Sequence, residues 1–214
     1  MRIAMLGTGA VGRNVGGRLA ELGHEVTLGT RDPAATRTRD DYADVPGVGL
    51  ATFAEATRDT DLVVNATNGG AALDVLALAG ADNLAGKVLL DLSNPLDFSQ
   101  GFPPTLLVKD TDSLAEQVQR AFPDARVVKA LNTMNNELMA RPRSLADGDH
   151  SVFVAGDDGE AKAVVTHLLT QLGHTDVIDL GDLTGARGAE MILPLWVRLM
   201  GALGTANFQF KVVR

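Results

Sequence analysis

Along the chain, short apolar runs alternate with longer segments in which apolar residues recur every three or four positions. Residues 2 to 7 form one such run and read as a buried strand. Between 11 and 22, Val11, Val15, Leu19 and Leu22 are spaced by four, four and three, which is the stripe of an amphipathic helix. Gly23 supplies the residue that ends it. The same alternation predicts strands at 25–28, 49–53, 61–66, 87–92, 126–131, 151–155 and 176–180. It predicts helices over 69–79, over 113–122 with Pro123 as the stop, and over 158–172. In the last of these Ala161, Val164, Val165, Leu168, Leu169 and Leu172 share a face, and Asp157 or Asp158 is the expected N-cap. The charged stretch 32–46 is expected to mix a short helix with loop. Strands that are apolar nearly throughout are covered on both faces, so the pattern points to an α/β fold with a parallel sheet.

The C-terminal part differs. Met191 to Val197, with Leu199 and Met200, is apolar almost all round a helix, so it is expected to be buried in the domain or against a partner. Pro194 should bend it. Phe208, Phe210 and Val212 alternate with polar residues, which predicts an edge strand over 206–213. The organisation expected is one domain over 1–214, with 182–214 as a helix and edge-strand extension.

Composition narrows the classes. With 214 residues the chain is long enough for a full core. A net charge of -8 with no basic run longer than two residues argues against nucleic acid and anionic membrane surfaces as partners. The absence of cysteine removes disulfides, thiol nucleophiles and Cys-based metal sites. No segment reaches the ~18 apolar residues of a membrane span, and the first apolar run is too short for a signal peptide, so a cytoplasmic protein is expected.

Chemistry enters at the first strand–helix junction. Gly7-Thr8-Gly9-Ala10-Val11-Gly12 fits G-x-G-x-x-G directly after a strand and at the start of a helix, which is the dinucleotide-binding context. A plain tight turn would need only part of that pattern. The fold expected is therefore a Rossmann-type doubly wound, mostly parallel sheet. NAD-binding members of that class carry an acid about twenty residues on, to hold the ribose hydroxyls. Here the tip of the second strand reads Thr30-Arg31. A hydroxyl and a guanidinium would bind the 2′-phosphate of NADP that a carboxylate would repel. Asp32 reads as a cap ahead of Pro33, and Arg37 and Arg39 as either added charge or solvated loop residues. The far half of the nucleotide should cross two later strand ends, Asn65 to Gly70 and Asp91 to Pro95. There Thr67, Asn68, Ser93 and Asn94 could frame the second ribose and the nicotinamide, or serve as ordinary turn residues.

The stretches "IAMLGTGAVG", "GHEVTLGTR", "DLSNPL", "KALNTM", "VFVAGDDGEAKAVV" and "DLGDLTGARGAEMILPLWVRLM", in this order, resemble the F420-dependent NADP oxidoreductase family over essentially the whole chain. The resemblance implies hydride exchange between NADP(H) and the deazaflavin coenzyme F420, or a flavin. It places the pyrophosphate on Gly7, Thr8, Gly9, Ala10, Val11 and Gly12, and the 2′-phosphate on Thr30 and Arg31. It sets Ser93, Asn94 and Pro95, with Leu131, Asn132 and Thr133, along the nicotinamide. The deazaflavin would stack against 132–136 and the start of a helix at 187–191.

Hydride transfer between planar rings needs stacking and exclusion of water more than acid–base groups. No catalytic residue and no metal set is expected. His24, His150, His167 and His174 are scattered and read as surface or capping residues. Arg187 is expected to pair with Glu190, three residues on, or to meet an acidic cofactor tail. Met191, Leu195, Trp196 and Leu199 read as core or subunit interface, and a homodimer is plausible. Two alternatives stand beside the leading one. One is an NADPH-dependent reductase of a small carbonyl or imine, with Lys129 as the candidate proton donor. The other is a nonenzymatic NADP-binding sensor.

Overall fold

Strands apolar on both faces require cover on both sides, and the computed structural model, which describes residues 1–214, provides it. The strands are β1 (Arg2–Leu6), β2 (Glu25–Thr30), β3 (Val48–Thr52), β4 (Leu62–Asn65), β5 (Val88–Asp91), the short β6 (Leu96–Asp97) and β7 (Thr105–Leu106), then β8 (Arg126–Ala130), β9 (Ser151–Gly156) and β10 (Asp176–Asp179). Eight of them form one sheet in the order β10-β9-β8-β5-β4-β1-β2-β3. All neighbours are parallel except β8 and β9. β6 and β7 pair with each other outside it.

The helices are α1 (Ala10–Glu21), α2 (Pro33–Arg37), α3 (Phe53–Arg58), α4 (Ala72–Ala79), α5 (Ala81–Leu84), α6 (Leu114–Ala121), α7 (Asn136–Ala140), α8 (Gly159–Leu172), α9 (Ala186–Met191) and α10 (Leu193–Leu203). Successive residues of β1 point to opposite faces. Ile3 and Met5 join a cluster with Val15 and Leu19 of α1 and Val165, Leu168 and Leu169 of α8. Ala4 and Leu6 join a second cluster with Val75 and Leu76 of α4 and Val118 of α6. Each such leucine or valine contributes roughly 1.5–3 kcal/mol by leaving water.

The chain winds outward from β1 to β3 in one direction and from β4 to β8 in the other. The reversal lies between β1 and β4, where Leu6 stands beside Asn65. Helices on opposite faces leave a crevice there, outside the carboxyl ends of the strands, which is where such sheets bind ligands.

Caps follow the sequence closely. Asp158 caps α8 by accepting from Ala161 N, while Asp157 accepts from Leu183 N. Asp32 caps α2, Ser113 caps α6, and Gly23 follows α1 with a positive φ of 89°.

The C-terminal expectation is corrected in two ways. Pro194 falls in the first turn of α10, where its missing N–H costs nothing, so it separates two helices instead of bending one. The edge strand over 206–213 does not form. Phe210 O accepts from Ser151 N at 2.9 Å, but Val212 N then donates to the Ser151 hydroxyl, and the ladder stops after one bond. The alternation instead turns Phe208 onto Trp196, with ring centroids 5.1 Å apart, and Phe210 edge-on to Phe208. The tail is tied down by Lys211 and Arg214 on Asp176. Its Ser151 hydrogen bond comes first, and with those cations it holds the Asp176 carboxyl down at about 2 against its burial.

Candidate active site

The junction of β1 and α1 approaches its neighbours too closely for side chains. Gly7 has φ 121°, and a Cβ there would lie 2.7 Å from Ala66 O. At Gly12 a Cβ would meet Gly7 O at 2.1 Å. At Gly9, by contrast, a Cβ would touch nothing within 4 Å. Gly9 is also the N-cap of α1 and offers no side-chain acceptor to the first helical N–H groups. The loop is thus an open cradle of backbone donors at a helix N-terminus, suited to a pyrophosphate.

At the end of β2, Gly29 stands beside Leu6 and accepts from Gly7 N at 3.0 Å, which brings the Thr30 end of β2 to the glycine loop. Arg31 is exposed. Thr30 is buried, and its hydroxyl lies 2.7 Å from that of Thr36. It is therefore partly engaged, but with Thr36 donating, the Thr30 hydrogen is free for an anion. The loop beyond α2 returns to this point: Arg39 Nη1 donates to Thr8 Oγ1 at 3.2 Å. The sequence left Arg39 between added charge and a solvated loop residue; the fold sets it on the glycine loop.

The far end is built differently. Asn65 donates to Asp91 Oδ1 at 2.8 Å and accepts from the Thr67 hydroxyl at 2.6 Å. Ser93 also donates to Asp91 Oδ1, at 2.7 Å. Lys129 Nζ reaches Asp91 at 2.7 Å and Glu190 at 2.9 Å, and donates to Ser93 O. Glu190 in turn accepts from Leu114 N at 2.8 Å and Ala115 N at 3.2 Å, the first amides of α6. Lys129 is 1% exposed, so burial pushes its pKa down. Asp91 and Glu190 outweigh that penalty, and the ammonium is held above its ordinary value. The lysine is a buried cation fastening three elements together. Its candidacy as a proton donor to a substrate is corrected: every direction from Nζ is occupied by the chain.

A second brace crosses the cleft wall. Asn94 donates to Asn132 O, and Asn132 donates to Asn94 Oδ1, both at 2.9 Å. Asn132 also donates to Ala189 O at 2.7 Å. Gly69 makes this fit possible, since a Cβ there would lie 2.0 Å from Asn94 O.

Between these loops lies a cleft lined by Val11, Thr67, Asn68, Ser93, Asn94 and Trp196, among others. It gathers five of the site residues expected from sequence. Of the glycine loop only Val11 enters this lining, and Thr30 and Arg31 lie outside it. Asn68 spends its side chain accepting from Gly70 N. Pro95, Leu131, Asn132 and Thr133 are buried behind the cleft wall, where they shape it. Leu131 has a φ of 64°, the turn that takes the chain from β8 into this wall.

Other expectations change. Trp196 lines the cleft, whereas Met191 and Leu195 are 37% and 53% exposed. Arg187 pairs with Glu116 at 2.6 Å and not with Glu190, which is committed to Lys129. His150 and His174 are buried, not on the surface, with rings 6.1 Å apart. Each faces a carbonyl through Nε2, so Nε2 carries the hydrogen, and each Nδ1 is buried without a partner. Burial brings the His174 pKa down to about 4. No three His, Asp or Glu side chains are placed to hold a metal ion. No helix is long and apolar enough to cross a membrane.

Comparison with known proteins agrees with this geometry. Residues 2–95 match the family model described as NADP oxidoreductase, coenzyme F420-dependent. The chain is 30% identical over 212 residues to the F420-dependent NADP reductase of Methanocaldococcus jannaschii, covering 93% of this chain and 92% of that one. It is 33% identical to the rat metalloreductase STEAP3 over 95% of its own length but only 39% of that protein's. The crystal structure of a protein from Arthrobacter sp. FB24, described as a putative F420-dependent NADP reductase, superposes with a TM-score of 0.98 at 61% identity over the full length of both chains. With a glycine cradle at the sheet's switch point, a cation-flanked β2 tip and relatives matched end to end, the chain belongs to the F420-dependent NADP oxidoreductase family, a family of NADP-dependent oxidoreductases.

Proposed function

We propose that the protein exchanges hydride between NADP(H) and a deazaflavin or flavin-like acceptor. The observation that carries this is where the cleft lies: Val11 of the phosphate-suited glycine loop is in its lining, and the rest of the wall is largely small polar residues, Thr67, Asn68, Ser93 and Asn94, beside Trp196. In this reading Gly7 to Gly12 hold the pyrophosphate, and Thr30 and Arg31 hold the 2′-phosphate. Thr67, Asn68, Ser93 and Asn94 line the second ribose and nicotinamide. Pro95, Leu131, Asn132 and Thr133 support that wall from behind.

Bound nicotinamide would supply the hydride chemistry itself. The chain's part is positional. The Asn94–Asn132 bridge and the Lys129 network fix the wall against which the ring lies, and fixed geometry is what lowers the entropic barrier. Trp196, stacked on Phe208, closes the outer side of the cleft and limits water. Lys129, the candidate proton donor of the alternative reading, is taken up by Asp91, Glu190 and Ser93 O, which favours a planar hydride acceptor over a carbonyl or imine substrate.

The reading includes a cytoplasmic protein that forms a homodimer through the exposed edge of α10, where Leu195 and Leu203 are 53% and 56% exposed. Sedimentation with a Leu195→Glu variant addresses the dimer. The catalytic proposal is tested by mixing the protein with NADPH and coenzyme F420 and following the deazaflavin absorbance. Turnover with F420 is expected. Failure with F420, FMN and FAD alike would remove the acceptor from the proposal.

A further inference from the structure

The loop 38–46 places a second cation, beside Arg31, at the phosphate end. Arg39 lies 31 residues beyond Thr8 in sequence, yet its Nη1 donates to the Thr8 hydroxyl at 3.2 Å. The guanidinium is not swinging freely. Its Nε and Nη2 form a fork on Asp41, at 2.9 and 2.6 Å. The Asp41 hydrogen bonds come first in raising the Arg39 pKa above its ordinary value. Asp41 therefore takes one edge of the planar group and leaves the Nη1 edge aimed at the glycine loop. Thr8 itself is 7% exposed and follows Gly7, whose N–H donates to Gly29 O just ahead of Thr30 and Arg31. Because Thr8 accepts from Arg39, its own hydrogen is left to donate outward.

We infer that Arg39, oriented by Asp41, is a specificity-determining residue that recognises the 2′-phosphate of the coenzyme together with Thr8, Thr30 and Arg31. The inference rests on the NADP reading of this end of the cleft. Two guanidiniums and two hydroxyls then surround one site. A dianionic phosphate gains charge-assisted hydrogen bonds there that a ribose hydroxyl cannot make. Arg39 contributes a directed fork, so a lysine at this position would keep the charge and lose the hold on Asp41. The Arg39–Asp41 pair is close to neutral as a unit, so Arg39 contributes a directed donor at Nη1 and Arg31 the uncompensated charge.

The test uses the full chain and two fragments, 2′,5′-ADP and 5′-AMP, which differ only in the phosphate at issue. Binding of each is measured by calorimetry for the wild type, Arg31→Ala, Arg39→Ala and Arg39→Lys. Arg39→Ala is expected to weaken 2′,5′-ADP by roughly ten- to hundredfold, the value of a hydrogen bond to a charged group, and to leave 5′-AMP unchanged. Arg39→Lys should fall between the wild type and Arg39→Ala. The preference for 2′,5′-ADP should shrink as salt is raised, as expected for partly exposed charges. The melting temperature without ligand should not change, because the Arg39–Asp41 pair is exposed. A loss below about fivefold for 2′,5′-ADP, or an equal loss for both fragments, would overturn the inference while Arg31→Ala still reports on the site. A wild type that does not distinguish the two fragments would remove the NADP reading, and this inference with it.

Discussion

The two ends of the cleft solve opposite physical problems. At the end proposed to take the phosphates, Arg31 and Arg39 are exposed, and the N-cap of α1 brings no side-chain acceptor to the first helical amides. Exposed charges of this kind add little to the fold. At the end proposed to take the nicotinamide, Asp91, Lys129 and Glu190 are at most 1% exposed and satisfy one another. There the polar groups belong to the core, and the surface they support is made rigid before any ligand binds. One end is built to attract, the other to hold shape. Binding and stability should therefore separate along the cleft.

The sharpest separation is expected at Lys129. Replacing it with Met leaves two carboxylates buried without their cation, which typically costs about 3–5 kcal/mol. Urea unfolding should show that loss, whereas Arg31→Ala should stay within about 1 kcal/mol of the wild type. Similar losses at both positions would erase the distinction between the ends.

Next in size is a pH effect beneath the nicotinamide end, where His174 donates to the carbonyl of Met139, a residue of the cleft lining. Its folded pKa of about 4 lies below the ordinary 6.5, so the fold favours the neutral ring. That contribution is complete above pH 6.5 and is lost as pH falls toward 4, amounting to roughly 3 kcal/mol at most. Melting temperature against pH should fall in this window for the wild type and flatten for His174→Gln. A wild-type curve that is level from pH 6.5 to 4 would show that the histidine is already hydrated or charged.

A smaller effect is expected from Asn132→Ala. It removes the donors to Asn94 Oδ1 and Ala189 O, with a stability cost of about 1–3 kcal/mol. With NADPH and F420 as substrates, kcat should drop while KM for NADPH stays close to the wild-type value, since the phosphate end is untouched. A change confined to KM would place Asn132 in binding and not in shaping the wall.

How far each end can be read from the sequence follows from how it is built. The phosphate end is local. Six consecutive residues carry the glycine pattern, and the strand after α1 must deliver Thr30 and Arg31 beside it, so spacing alone locates them. Arg39 escapes that logic because it returns through a loop whose path no periodicity describes. The other end is assembled from positions 65, 91 and 129, brought together by sheet order, with 93 on the loop after β5 and 190 on helix α9. The available signal is a charged residue inside an apolar run: Lys129 in "RVVKA" and Glu190 before "MILPLW". A buried lysine demands partners, and that demand predicts a network without naming its members. The C-terminal alternation misleads for a related reason. Period two marks a strand only where a neighbour completes the ladder, and here the Ser151 hydroxyl intercepts it.

The most direct measurement is an equilibrium titration of the full chain with NADPH and with NADH, repeated for the Thr30→Glu, Arg31→Ala double variant. The cationic phosphate end predicts that NADPH binds at least about tenfold more tightly than NADH, and that the double variant reverses the order. Equal affinities in the wild type, or a preference unmoved by the double change, would contradict it.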